Sequence, residues 1–155
     1  MTVRLMEEND LNKAAHVHAE AFPRQKQSLE WLRCSLKAFP RLFCYVTEQD
    51  NQIIGYIIWA QKSGFRPEAT IELEQIAIHP NVHGKGFGQN IIEQSLIQVK
   101  QQLSKNGSSI KNILISTRAD NQAQKLYRKA LGAEVEATIS NLYSADEVYM
   151  VARHV

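Results

Sequence analysis

One stretch of the chain combines the residue types that bind a phosphate at the start of a helix. Residues 70–78 have the pattern of a strand, and a short loop with three alternating glycines, Gly84, Gly86 and Gly88, precedes a helical pattern. Backbone N–H groups at a helix start have no partner within the helix, and they lie at the positive end of the helix dipole. Glycines also let a ligand approach the backbone. The sequence therefore predicts a phosphate site here.

The loop also carries two side-chain donors, His83 and Lys85, and Lys85 adds a positive charge. The alternative is an ordinary strand-to-helix turn. Each glycine has an entropic cost on folding, however, and an ordinary turn does not explain why the chain has three of them in alternation. The run from Gly84 to Gln89 lacks the G-x-G-x-x-G dinucleotide fingerprint, and no Lys-Ser/Thr pair closes a longer P-loop. A nucleotide-binding α/β domain is therefore disfavoured.

Two carboxylates lie on the strand that feeds this loop. Alternation along a strand predicts that Glu72, Glu74 and Ile76 share one face, with Leu73 and Gln75 on the other. A carboxylate near a reacting amine can act as its general base. The alternatives are that these glutamates are solvated strand residues, or that they only attract a cationic substrate.

A tyrosine on a later helical segment is the second candidate for chemistry. Tyr127 falls on the same apolar face as Ala123 and Leu126. This position is equally compatible with a core residue, although a buried phenol usually needs a partner for its O–H.

Composition narrows the class of protein. The chain has 155 residues, 44% of them hydrophobic, and we expect one compact domain over residues 1–155. A net charge of +2 is too small to favour nucleic acid binding. No apolar run would span a membrane and the first residues do not resemble a signal peptide, so we expect a cytoplasmic protein without membrane binding. Neither the cysteines, Cys34 and Cys44, nor the histidines have metal-ligand spacing, and we expect no metal.

The elements that must position these residues alternate in type. The predicted order is βααβββαβαββ, which indicates an α/β protein with a mixed sheet and helices on both faces. Asp10, Ser28 and Asp120 are candidate helix caps, and Gly55 suggests a bulge within a strand. The predicted strands cover about residues 3–5, 42–47, 52–60, 70–78, 113–116, 135–139 and 148–152, and the longest helix covers about residues 88–105.

The strand and glycine loop resemble the acetyl-CoA-binding motif of the GNAT N-acetyltransferases. That motif is a strand ending in a pattern like V-H-P, then Q/R-x-x-G-x-G/A, and the chain has Ile78-His79-Pro80 followed by His83-Gly84-Lys85-Gly86-Phe87-Gly88. In the family the loop amides hold the coenzyme pyrophosphate, and the strand pairs with the pantetheine arm. His83 replaces the usual Arg or Gln, but imidazole can still donate a hydrogen bond. The resemblance implies these coenzyme-binding residues: Ile76, Ala77, Ile78, His83, Gly84, Lys85, Gly86, Phe87, Gly88 and Gln89.

A second motif of the family is similar to the segment around Tyr127. The spacing from Ala123 to Tyr127 matches, whereas the asparagine is one residue nearer than usual and Ala133 replaces a phenylalanine. The resemblance implies that Asn121 and Gln124 bind the coenzyme and that Tyr127 is the acid that protonates the coenzyme thiolate. It also implies Glu74 as the base, acting on the amine through water, with Glu72 or water alone as alternatives.

The resemblance extends over nearly the whole chain and implies the GNAT fold, a central, mostly antiparallel sheet with helices on both faces. The expected function is acetyl transfer from acetyl-CoA to a primary amine of a small molecule or a protein. The alternative is a coenzyme-A-binding sensor or a catalytically silent domain. Homodimers are common in the family. The acceptor is not identified, although Glu72 and Glu74 suggest a cationic amine, and the aromatic residues Phe22 and Trp31 are candidates to line its pocket.

Overall fold

A computed structural model describes residues 1–155, and its elements follow the order expected from the sequence. The strands are β1 (Thr2–Leu5), β2 (Leu42–Gln49), β3 (Gln52–Gln61), β4 (Glu68–Ile78), β5 (Ser109–Arg118), β6 (Glu134–Ile139) and β7 (Glu147–Arg153). The helices are α1 (Leu11–Ala21), α2 (Ser28–Lys37), α3 (Phe87–Lys105) and α4 (Ala123–Leu131). Short 3-10 turns lie at Glu8–Asp10 and Pro80–Val82. None of the helices is long and apolar enough to cross a membrane.

The strands form one seven-stranded sheet in the order β1-β2-β3-β4-β5-β7-β6. All neighbouring strands are antiparallel except β4 and β5, which are parallel and are joined by the crossover helix α3. The prediction of a mixed, mostly antiparallel sheet is confirmed.

Helices cover both faces of this sheet, as expected. The core on one face includes the apolar side of α3 and residues Tyr127 and Leu131 of α4. The core on the other face includes the apolar side of α1 and Leu32 of α2. Within α3 the predicted inward residues are all buried, namely Ile91, Ile92, Ser95, Leu96, Val99 and Leu103.

A β-bulge interrupts β4 at Glu74. Ile58 of β3 lies opposite Gln75, whereas the next residue, Trp59, lies opposite Leu73, so Glu74 is an extra residue without a partner on β3. The bulge reverses the alternation of faces along the rest of the strand.

The predicted face pattern of β4 is therefore wrong. Leu73 and Ile76 both pack in the core beneath α3, although strict alternation would separate them. Gln75 moves to the face that carries α1 and α2, since its partner Ile58 belongs to that core. A bulge within β3 is confirmed near Gly55 by a register shift against β2.

The parallel strands β4 and β5 separate along their length. Their pairing runs from Glu68 opposite Ser109 to Glu72 opposite Leu114 and stops there, although β4 continues to Ile78 and β5 to Arg118. The other edge of β4 stays paired with β3 as far as Ile78. A gap thus opens in the middle of the sheet, and backbone polar groups along its edges have no partner strand.

The predicted helix caps need correction. The Asp10 carboxylate accepts hydrogen bonds from Arg4 at 2.7 and 2.9 Å and from the Glu7 N–H at 2.8 Å, so it fixes the turn before α1 rather than α1 itself. The Ser28 hydroxyl lies 2.7 Å from Nδ1 of His18 instead of capping α2.

The last of these caps is displaced by one residue. Asp120 pairs with Arg118, and the Asn121 side-chain oxygen accepts a hydrogen bond from the Ala123 N–H at 2.8 Å. Asn121 therefore caps the start of α4.

Candidate active site

A cleft with a volume of about 1020 Å³ occupies the gap between β4 and β5. The bulged half of β4 forms one edge of the cleft, and the glycine loop, the first turn of α3 and one side of α4 line it on the face of the sheet that carries α3. The segment between α1 and α2 contributes Gln25, α2 contributes Trp31, and the loop between β6 and β7 contributes Tyr143 and Ser144.

Two glycines of the loop have backbone conformations that favour glycine. Gly84 has a φ of 77° and Gly86 a φ of 83°, and Gly86 is the residue directly before α3. A Cβ atom at either position would have no neighbour within 4 Å. The space above the helix start is therefore open to a ligand, and the N–H groups of the first turn of α3 face no competing side-chain cap.

The third glycine, Gly88, is needed for a different reason, which is the packing of two helices. A Cβ atom at Gly88 would lie 3.2 Å from Cδ2 of Leu126, so the absence of a side chain lets α4 approach α3 closely. This contact sets the distance between the loop and the residues of α4.

His83 closes the loop onto the end of β4. Its Nε2 lies 2.7 Å from the backbone carbonyl oxygen of Ile78, and because a carbonyl only accepts, Nε2 carries the hydrogen. The ring thus holds the loop in place, a role that the sequence did not indicate.

Tyr127 lies on α4 with its ring in the core and lines the cleft. Only 6% of the residue is exposed, and burial raises the pKa of its phenol to about 12. The hydroxyl has no hydrogen-bond partner in the chain. A phenol held protonated and free of partners can donate its proton to a group in the cleft.

Glu74, the bulge residue, is exposed and lines the cleft. Partial desolvation by the walls raises the pKa of its carboxyl above the usual value, and the neighbouring Glu72 raises it further, while Lys62 and Arg41 lower it. Glu72 forms an ion pair with Lys62 at 3.8 Å, whereas Glu74 has no such partner. Of the two carboxylates, Glu74 is the one free to accept a proton.

A set of hydrogen-bonded side chains fixes the part of the cleft wall next to α1 and α2. Oε1 of Gln75 accepts from the Trp31 indole N–H at 2.8 Å and from the Tyr56 hydroxyl at 2.6 Å, which ties α2 to the sheet. Oε1 of Gln25 lies 3.0 Å from Nε2 of His18, so the segment between the helices is tied to α1. Sequence reasoning missed Gln75 because the bulge, which brings it to this face, leaves no pattern in the letters.

Most of the residues expected at the site are brought together. Those that line the cleft are Glu74, Ile76, Ile78, His83, Gly84, Gly86, Phe87, Gly88, Gln89, Asn121 and Tyr127. Ala77 is buried in the core on the α1 side, Lys85 is exposed outside the cleft lining, and the amide nitrogen of Gln124 donates to the Ala119 carbonyl at 2.9 Å.

Other cleft residues were not foreseen. Besides Gln75, they include Arg118, Lys129 and Glu147. No group of three His, Cys, Asp or Glu side chains is close enough to hold a metal ion.

Comparison with solved structures supports the fold over the full length of the chain. The ribosomal-protein-S18-alanine N-acetyltransferase of Escherichia coli is 20% identical, with a TM-score of 0.74 over 98% of this chain and 92% of that chain. An aminoglycoside 6'-N-acetyltransferase in complex with coenzyme A is 11% identical, with a TM-score of 0.78 over 100% and 98%. A spermidine N-acetyltransferase chimera from Vibrio cholerae and hSSAT is 20% identical, with a TM-score of 0.76 over 99% and 96%.

Comparison of the sequence with family profiles identifies the family more directly than comparison of structures does. No curated protein matches it closely enough to count as a relative. The sequence profile of the Acetyltransferase (GNAT) family matches residues 9–133, which include β4, the glycine loop and α4. The profile thus covers most of the chain, and the open gap between β4 and β5 lies within it. The chain therefore belongs to the GNAT family of acetyltransferases.

Proposed function

We propose that the protein transfers the acetyl group of acetyl-CoA to a primary amine that binds in the same cleft, and that residues 1–155 form one domain for this reaction. The observation that carries the proposal is the gap between β4 and β5, which joins an open helix N-terminus to two unpaired proton-transfer groups, Glu74 and Tyr127. Solved neighbours that acetylate a ribosomal protein, an aminoglycoside or spermidine share this fold and support amine acetylation as the reaction class.

The coenzyme fits the half of the cleft next to the start of α3. Its pyrophosphate would lie on the N–H groups at the start of α3, above Gly84 and Gly86, where the helix dipole favours negative charge. Its pantetheine arm carries amide groups, and the edge of β4 at Ile76 and Ile78, which has no partner strand, offers backbone partners to them as an added strand would. The Ile78 carbonyl is the exception, because it already accepts a hydrogen bond from His83. Asn121, Gln89 and His83 line this half of the cleft, and Lys85 adds positive charge nearby.

The chemistry needs three events. The neutral amine nitrogen attacks the thioester carbonyl carbon, and the carbonyl oxygen, which becomes negative, is stabilised by a backbone N–H near Ile76. The amine loses a proton to Glu74, directly or through one water, because most amines are protonated near neutral pH. The C–S bond then breaks, and the departing thiolate takes the proton of the Tyr127 hydroxyl. The nitrogen, positively charged after the attack, gives its extra proton to the Tyr127 phenolate through water, and Glu74 releases its proton to solvent, which leaves an amide and free coenzyme A.

The second candidate function is a coenzyme-A-binding sensor or a silent domain. The free carboxylate of Glu74 and the free hydroxyl of Tyr127 favour an enzyme, since a pure binding site has no use for either. A panel of monoamines, diamines, aminoglycosides and lysine-containing or N-terminal peptides would be incubated with acetyl-CoA. Thiol release above the rate without amine, together with acetylated acceptor detected by mass spectrometry, is the expected result. Tight binding of coenzyme A without release on any acceptor would favour the sensor.

The cellular location and the partners of the protein are a further part of the proposal. Cys34 and Cys44 are both unpaired, which fits a reducing compartment, and we propose a cytoplasmic location. Three expectations stay predictions: that the protein binds no nucleic acid, that it binds no membrane, and that it can form a homodimer.

A further inference from the structure

Glu147 is a buried residue whose carboxylate faces the cleft without a partner in the protein. It is the first residue of β7, only 6% of it is exposed, and it lines the cleft. None of the ion pairs or side-chain hydrogen bonds in the chain includes its carboxylate. The residue is held by its buried surroundings while its carboxylate opens only to the cleft, so a ligand that binds in the cleft is the partner that this charge can gain.

The nearest candidate cation along the sheet is engaged elsewhere. Arg118 lies opposite Glu147 in the register of β5 and β7, but its guanidinium donates two hydrogen bonds of 3.1 Å to Asp120. Val148 packs in the core beneath α3, so alternation places Glu147 on the opposite face of the sheet, away from Lys129 on α4. The protein therefore leaves the charge of Glu147 unmatched.

The surroundings of Glu147 suit a cation rather than a neutral group. Tyr143 and Trp31 are exposed aromatic residues that line the same cleft, and aromatic faces attract ammonium groups. Glu74 supplies a separate carboxylate in the same cleft, on a different strand from Glu147. Two carboxylates on separate strands match a ligand that carries two positive charges.

We propose that Glu147 binds a second ammonium group of the acceptor, so that the preferred acceptors are diamines and polyamines. The reacting amine lies near Glu74, and the distal ammonium replaces the missing protein cation at Glu147. This inference rests on the proposed acetyl transfer and adds the acceptor class and the residue that selects it.

The test compares acceptors that differ only in the distal charge. Values of kcat and KM for putrescine, spermidine and butylamine would be measured for the wild type, for Glu147→Gln and for the control Glu68→Gln. Glu68 is exposed at the start of β4, outside the cleft, and its substitution makes the same change in net charge. The wild type is expected to prefer the two polycations over butylamine.

Glu147→Gln should lower kcat/KM for putrescine and spermidine by about ten- to a hundredfold, the usual value of a hydrogen bond to a charged group. The loss should appear in KM, because distal binding is equal in the ground and transition states. Butylamine kinetics should stay the same, and Glu68→Gln should match the wild type on all three acceptors. An equal loss on butylamine, or no loss on putrescine, would overturn the inference.

A binding measurement separates this inference from the reaction itself. Calorimetric titration of spermidine into the complex with coenzyme A, which cannot react, should show binding to the wild type and at least tenfold weaker binding to Glu147→Gln, roughly the low end of the same range. Spermidine binding without any acetylation would refute the proposed function but not the role of Glu147. Acetylation of butylamine as efficient as that of putrescine by the wild type would refute the inference alone, even where Glu147→Gln fails to fold.

Discussion

Tyr127 gives the most direct test of a catalytic residue, because its ring and its hydroxyl have separate surroundings. The ring packs in the core beneath α3, whereas the hydroxyl has no partner in the chain and belongs to the cleft wall. Tyr127→Phe therefore keeps the packing and removes only the proton donor. We expect kcat to fall by about a hundred- to ten-thousandfold, with acetyl-CoA affinity nearly unchanged.

Tyr45→Phe is the matched control. The Tyr45 hydroxyl is buried without a partner, and the residue does not line the cleft. Its removal should leave kcat unchanged and should keep or raise stability in urea. Unchanged turnover of Tyr127→Phe on an acceptor that the wild type acetylates would assign Tyr127 to the core alone.

Glu74 predicts the pH dependence of the reaction. The base must be ionised, and because desolvation and Glu72 raise its pKa, kcat/KM should fall on the acid side at a pH above the ordinary glutamate value of about 4.3. Without this base, only the fraction of amine that is already neutral reacts. The rate of Glu74→Gln should thus be depressed most at low pH and should approach the wild-type rate as the pH nears the pKa of the amine.

Two results distinguish this role from its rivals. If Glu74 only attracts a cationic acceptor, Glu74→Gln raises KM and keeps the wild-type pH profile of kcat. If Glu72 is the base, the pH-dependent loss of rate should appear in Glu72→Gln rather than in Glu74→Gln. That variant also removes the ion pair with Lys62, but such a pair near the surface contributes little to stability. Both constants would be measured from about pH 5 to 10, a range that begins just above the ordinary glutamate pKa and approaches that of a primary alkyl amine.

At the scale of the elements, the three glycines of the loop have different functions. Gly86 has a left-handed backbone with open space around it, whereas Gly88 makes room for Leu126. Gly86→Val should therefore abolish coenzyme binding through a bulky side chain at the phosphate site, together with a strain of about 1–2 kcal/mol from the left-handed conformation.

Gly64→Val provides the control for strain alone. Gly64 also has a positive φ with no neighbour within 4 Å, but it lies in the loop between β3 and β4, outside the cleft. Both variants should lose similar stability in urea, and only Gly86→Val should lose acetyl-CoA binding in calorimetry. Normal binding by folded Gly86→Val would remove the loop from the coenzyme site.

The elements also show which parts of the structure were predictable from the sequence. The order of helices and strands follows from periodicity, since a helix such as α3 repeats its apolar residues at 3.6-residue spacing. The bulge at Glu74 was not predictable, because Glu74 and Gln75 are both polar and either could occupy the outer face. That Glu147 lacks a partner was also not predictable. Arg118 lies close to both Asp120 and Glu147 only in the folded chain, where it binds Asp120.

The whole molecule is organised around the gap between β4 and β5. One half of the sheet, from β1 to β4, carries α1 and α2, and the other half holds β5 to β7. Past Glu72 no strand pairing joins the two halves, and the packing of α3 and α4 remains as the link there. A ligand that fills the gap contacts both halves, so it should stabilise the molecule as a unit.

Acetyl-CoA should therefore raise the thermal stability without added metal. Mass action gives about 2.7 kcal/mol when the ligand is at a hundredfold excess over its Kd. For a chain of this length, each kcal/mol shifts Tm by about 2–4 °C, so the expected shift is roughly 5–11 °C. Scanning fluorimetry or calorimetry over a series of acetyl-CoA concentrations, with a chelator present, would measure it.

Gly86→Val should show no shift, while Gly64→Val should shift as the wild type does from a lower starting Tm. Pantetheine, which has the arm but lacks the pyrophosphate, should give a smaller shift than coenzyme A because it leaves the start of α3 without its anion. A Tm that stays flat up to millimolar acetyl-CoA would contradict coenzyme binding in this gap.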